Sequence, residues 1–192
     1  MVTMPTDTHL PDTPPGYRLV SSLDLRADRR TAALIQGGFL VVAAVLVVSA
    51  LALGVPLDTG WSTAVAATVT VAACLGYMLV HELTHALALR LLTGVKPTVR
   101  VRLPYLATGS TALLTRRQAI TVALAPVTLW GVVLPVLALF VPADFVLTVF
   151  VVVVLNLAGS SGDAVQAHAF TRLPPSARIR DDGATTCVFD RV

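Results

Sequence analysis

The chain has 192 residues, of which 55% are hydrophobic and only 13% charged, with a formal net charge of +3. Soluble domains carry about 25% charged residues, so this chain has too little charge to cover a globule of its size, and a mean hydropathy of +0.79 makes lipid the expected solvent for much of its surface. The 14 Lys and Arg lie in tails and loops without a basic face or interleaved aromatics, which argues against a nucleic-acid partner.

Residues 1–30 read as a cytosolic tail, disordered or amphipathic. Met1 to Gly16 is rich in Pro, Thr and Asp and lacks the basic start and apolar core of a signal peptide. Four apolar stretches follow, at about 31–53, 61–92, 118–141 and 144–165. Each reaches the ~20 residues that cross a bilayer. Pro126 and Pro135 fall inside the third and are expected to kink it. Cys74 and Cys187 show no metal-type spacing, and no disulfide is expected between them.

The connections set the orientation. Gly54 to Gly60 and Pro142 to Asp144 are short turns without Lys or Arg, and Asp144 is placed to cap the fourth helix. Arg18, Arg26, Arg29 and Arg30 precede the first span. Lys96, Arg100, Arg102, Arg116 and Arg117 lie between the second and third, and Arg172, Arg178, Arg180 and Arg191 follow the fourth. The positive-inside rule then puts both termini and the central connection in the cytoplasm of a multi-pass cell-membrane protein.

Val99-Arg-Val-Arg-Leu103 alternates apolar and basic residues, a strand signal. In the tail, 166–192, Ala177 to Arg180 and Ala184 to Phe189 flank Asp181-Asp-Gly183, which reads as a hairpin. One small cytosolic sheet joining both segments is expected, with two separate surface loops as the alternative. The fold class is an all-α membrane protein of four transmembrane helices with a small cytosolic β element. Residues 31–165 form its membrane domain.

One motif carries chemistry: His81-Glu82-Leu83-Thr84-His85. Residues four apart share a helix face, so both imidazoles can reach one metal, while Glu82 beside them can take a proton from an activated water. Glu82 is the only glutamate, and two of the four histidines flank it. Chance would give this pattern on the order of 10⁻⁴ to 10⁻³ times in such a chain. Charge at mid-bilayer costs at least ~2.5–3.5 kcal/mol, a cost that a bound cation or a wet pocket offsets.

Zinc needs a third protein ligand and an open position. The candidates are His9 in the tail, Asp163 in the fourth span and His168 just past it. From Trp61, His81 and His85 are 20 and 24 residues in; from Asp144, Asp163 is 19 residues in. At 1.5 Å per residue all three lie about 30 Å or slightly more from the outer surface. The bland alternative for Asp163 is a helix-end carboxylate paired with Arg90 or Arg172, and for His168 a surface histidine. Gly159 to Gly162 is small enough to permit close helix approach, or to break the helix. Asn156 can orient a ligand, hold a substrate carbonyl or bond between helices.

His81 to His85 in a membrane helix, followed by Asn156 and Gly162-Asp163, resembles the site-2 protease class of intramembrane zinc metalloproteases. It is more closely similar to a small bacterial and archaeal membrane family of unknown function, named as zincin peptidases on the strength of the motif. Ala125-Pro126, Arg172-Leu-Pro-Pro and Arg180-Asp-Asp-Gly183 add to that likeness, which covers roughly residues 75 to 190. Gly159 and Ala164 stand where site-2 proteases carry Pro and Gly. The resemblance implies that His81, His85 and Asp163 bind Zn2+ and that Glu82 is the catalytic base.

The function expected is therefore an intramembrane zinc metalloendopeptidase. Its partners would be membrane lipid and a membrane-anchored protein or peptide, cut near the cytoplasmic face, with Val99–Leu103 as a possible strand-addition site. The alternative is a non-catalytic membrane zinc-binding or scaffold protein using the same ligands. A small transporter fits poorly, because there is one polar cluster and no repeat symmetry.

Overall fold

The structure is a computed structural model that describes residues 13–23, 29–102, 105–182 and 185–192, with the backbone alone at 23, 99–102 and 105–107. Four helical stretches in it are long and apolar enough to cross a membrane, the fourth running across Ala143–Thr171. In chain order the elements are β1 (Tyr17–Leu23), α1 (Arg29–Ala52), α2 (Thr63–Thr93), β2 (Thr98–Arg102), β3 (Tyr105–Gly109) and β4 (Leu114–Thr115). Then come α3 (Arg116–Ala138), α4 (Ala143–Gly159), α5 (Ser161–Thr171), β5 (Arg178–Asp181) and β6 (Thr186–Arg191).

Local capping marks both ends of α2 and the start of α3. Ser62 caps α2 by accepting from the Val65 amide, and Gly94 closes it at φ 70°, where a side chain would be strained. The 31 residues of α2 make about 46 Å of helix, longer than the ~30 Å of hydrocarbon. Thr115 and Gln118 form a reciprocal capping box on α3. α3 continues as helix through both prolines. Asp144 works differently from a cap for α4: its Oδ1 accepts from the Gly60 amide at 2.7 Å, tying the first turn of α4 to the connection before α2.

The fourth apolar stretch is two helices rather than one. α4 ends at Gly159, Ser160 sits at φ −75°, ψ 8°, and α5 starts at Ser161. The run Gly159-Ser-Ser-Gly162 breaks the helix, because glycine and serine give little to hold its interior. It also permits close approach: a Cβ on Gly38 of α1 would stand 3.3 Å from Ser161 Oγ.

α2 packs against α3 and α4, α3 against α4 and α5, and α1 against α4 and α5. α1 buries only Ala50 and leaves Leu34, Leu40, Val41 and Val48 exposed, as suits a helix bathed in lipid. Tyr77, Leu134 and Val152 form the core shared by α2, α3 and α4. A second core joins Leu114, Ala119, Phe170 and Ile179 where α3 begins and α5 ends.

That second core lies under a four-stranded antiparallel sheet of order β1-β6-β5-β4, and two sequence expectations are corrected here. Leu103 of the Val99–Leu103 segment lies outside the described residues, and the rest of it does not join the tail hairpin. β2 pairs with β3, Val99 opposite Thr108 and Arg102 opposite Tyr105, as a separate two-stranded sheet. A partner two residues away costs less closure entropy than one across the chain. The tail is instead met by Leu114 opposite Ile179 and by the Ser110 amide on the Asp181 carbonyl at 2.7 Å.

The N-terminal tail is the other correction. Within 1–30, Tyr17–Leu23 is a strand paired along β6, from Tyr17 opposite Arg191 to Leu23 opposite Thr186. It covers what would otherwise be an open sheet edge. Residues 1–12 and 24–28 of that tail, His9 among them, lie outside the described residues, as do Gly183 and Ala184 of the expected hairpin turn. On either side of that turn the Asp182 carboxylate accepts from the Thr185 amide at 2.8 Å.

Candidate metal centre

The motif occupies the far half of α2, beginning 18 residues, about 27 Å, beyond Thr63. Helical periodicity puts Tyr77, His81 and His85 on one face. The two imidazole centroids are 4.9 Å apart and nearly perpendicular, at 79°. The break at Ser160 turns α5 so that Asp163, in its first turn, meets that face. Asp163 Oδ2 lies 3.3 Å from His81 Nε2, and Oδ1 lies 3.6 Å from His85 Nε2.

One donor atom from each of these residues falls within 4.8 Å of the others, a grouping able to hold a metal ion. Ligands about 2.0–2.2 Å from a tetrahedral zinc stand about 3.3–3.6 Å apart, so the two contacts above match a zinc polyhedron. The donor set, two imidazole nitrogens and a carboxylate, suits zinc as well. The side chains of His81, His85 and Asp163 keep 16%, 12% and 20% of their exposure.

The outer hydrogen bonds decide which way the rings point. His85 Nδ1 is 2.8 Å from the Val122 carbonyl oxygen, and a carbonyl only accepts, so Nδ1 carries the proton. Nε2 then turns a lone pair on the Asp163 carboxylate. Two acceptors face each other there, a repulsive arrangement until a proton or a metal ion lies between them. His81 is held more loosely: Tyr77 Oη stands 3.5 Å from Nδ1 and donates its own proton to Asn156 Oδ1 at 2.5 Å. Asn156 is fully buried, so the chain Asn156–Tyr77–His81 runs from the core to the donor cluster.

Glu82 stands outside the donor group, half-buried. Thr108 of β3 donates toward it, 3.1 Å from both its main-chain oxygen and Oε2. Thr84, between the histidines, faces α3 instead and accepts from Trp130 Nε1 at 2.9 Å, which fixes α2 against its neighbour.

Of the sequence-derived candidates, then, His81, His85 and Asp163 converge, with Glu82 beside them. His168 does not join them: it is exposed and accepts from Arg172 Nε at 3.2 Å. The ion pairs described for Asp163 are with the two histidines, in place of Arg90 or Arg172. Thr108, Tyr77 and the Val122 carbonyl were not singled out from sequence. Tyr77 alone had a signal, its position four residues before His81.

A family model described as "Putative zincin peptidase" matches residues 74–178. Those residues include the motif, β2, β3, all of α3 and Asp163. Neither a curated protein nor a solved structure matches the chain. The family match spans more than half of the 192 residues, and the chain belongs to this zincin peptidase family.

Proposed function

We propose that the protein is an intramembrane zinc metallopeptidase related to the site-2 protease class, with His81, His85 and Asp163 as zinc ligands and Glu82 as the base. The convergence of three donor atoms within 4.8 Å, from helices distant in sequence, carries the reading. Bound there, zinc supplies a Lewis acid that lowers the pKa of a ligated water towards ~7 and polarises a carbonyl.

The protein's own groups do the rest. Glu82 accepts the proton of the attacking water on its carboxylate and passes it to the leaving amine, so the peptide C–N bond breaks as a C–O bond forms. Thr108 steadies Oε2 during both transfers. The substrate is a membrane-anchored chain that reaches the cytoplasmic end of the bundle. The two-stranded sheet beside Glu82 offers strand edges to which an extended segment can add. The basic residues flanking α1, α3 and α5 support cytoplasmic termini.

The test is Glu82→Gln in the full chain in membranes. Zinc content should match the wild type. New protein N-termini that appear with the wild-type chain should be missing with the variant. Cleavage unchanged in the variant removes Glu82 as base. Zinc bound with no cleavage by the wild type favours a non-catalytic scaffold.

A further inference from the structure

Pro126 is buried in the interior of α3. Proline brings no N–H, and its ring crowds the carbonyl of the residue four positions earlier. That residue is Val122. A helix-interior carbonyl at this place would normally accept from the amide of residue 126, and in lipid a carbonyl so freed has to find another donor. Here the donor is His85 Nδ1, at 2.8 Å, from a different helix.

We infer that Pro126 is a positioning residue for the metal centre: it withholds an amide from the Val122 carbonyl and so assigns that carbonyl to His85. The inference rests on the zinc reading above. Nδ1 gives its proton to Val122, Nε2 is left as the ligating atom, and the ring plane is fixed across the α2–α3 interface. Partners of this kind, one bond out from the metal, are worth about 10–100-fold in metal affinity. Among the described residues, the second proline of the helix has no such link. Pro135 lies nine residues on, about 14 Å further along the axis, and serves as the internal control.

The test compares Pro126→Ala and Pro135→Ala in the full chain in detergent, by zinc affinity against a competing chelator. The absorption spectrum of the cobalt(II)-loaded protein and the melting temperature of the metal-free protein complete the comparison. Pro126→Ala regains an amide N–H, which draws the Val122 carbonyl back into the α3 ladder. Zinc affinity should fall roughly tenfold and the cobalt bands should shift, while the metal-free chain melts no earlier than wild type. Pro135→Ala should keep the wild-type affinity and spectrum.

Wild-type affinity and spectrum in Pro126→Ala overturn the inference. So does an equal loss in Pro135→Ala, or a loss accompanied by a lower melting temperature of the metal-free chain, since either assigns the proline to helix shape alone. If wild type and Asp163→Ala both fail to bind zinc, the metal reading itself falls. Zinc bound by wild type, lost in Asp163→Ala and unchanged in Pro126→Ala defeats the Pro126 role alone.

Discussion

Thr108 Oγ1 stands 3.1 Å from both the main-chain oxygen and Oε2 of Glu82. One hydroxyl thus ties β3 to the motif helix at the residue proposed to carry the proton. A glutamate carboxylate on three rotatable bonds has many orientations, and a donor on Oε2 removes most of them.

Thr108→Val keeps the shape and removes the donor. The expected result is a drop in kcat of about tenfold, equal to ~1.4 kcal/mol. KM and zinc content should stay as in the wild type. Steady-state cleavage of an identified substrate, beside metal analysis, checks this. A variant that loses zinc while keeping kcat contradicts the assignment of Thr108 to Glu82.

The third ligand is decided by metal content. Asp163→Ala removes the carboxylate that faces both imidazoles and should leave the purified protein with little zinc. His168→Ala should keep it, because that ring is exposed and bonded to Arg172. Equal retention in both variants would mean that the metal is held elsewhere.

What could be read beforehand was what depends on short range or on depth. His81 and His85 share a face by helical period alone, and counting residues from each membrane entry puts Asp163 at their depth. The apolar spans announced the helices. Thr108 was hidden because its role needs the β2–β3 hairpin folded back over α2. The meeting of Val122 with His85 was equally hidden, since one main-chain carbonyl carries no sequence signature. β1 was missed because Tyr17–Leu23 has little alternation of its own and gains its order from pairing with β6. The expected joint sheet failed for a related reason: the strand at Val99 had a nearer partner than the one assigned to it.

Tyr77 links the buried core to the site. Its hydroxyl satisfies Asn156 Oδ1, inside a residue with no exposure, and Asn156 Nδ2 has no partner among the described residues. Tyr77→Phe should leave both polar atoms of that amide unsatisfied and cost about 1–3 kcal/mol, seen as a lower melting temperature in detergent. Adding Asn156→Leu should recover most of the loss, because removing both partners removes the unmet demand. A double variant no more stable than Tyr77→Phe would show that the bond itself, rather than burial of an unpaired amide, sets the cost.

Cys187 offers a pH readout outside the membrane-spanning helices. It is buried in β6, opposite Arg180 of β5. Burial pushes its thiol above the ordinary 9.0, and the nearby guanidinium offsets this only in part. A thiol whose folded pKa is raised binds its proton more tightly in the native state. Its contribution is therefore complete below pH 9 and is lost as the pH rises from the unfolded value towards the folded one. Cys187→Ala should flatten the fall in stability on the alkaline side of pH 9, measured by thermal melting across that range. In a Cys74→Ala background, iodoacetamide at pH 8 should modify Cys187 slowly in the folded protein and rapidly once denaturant opens the sheet. Rapid labelling of the folded chain would mean that β6 is exposed in solution, and the four-stranded sheet would lose one of its two inner strands.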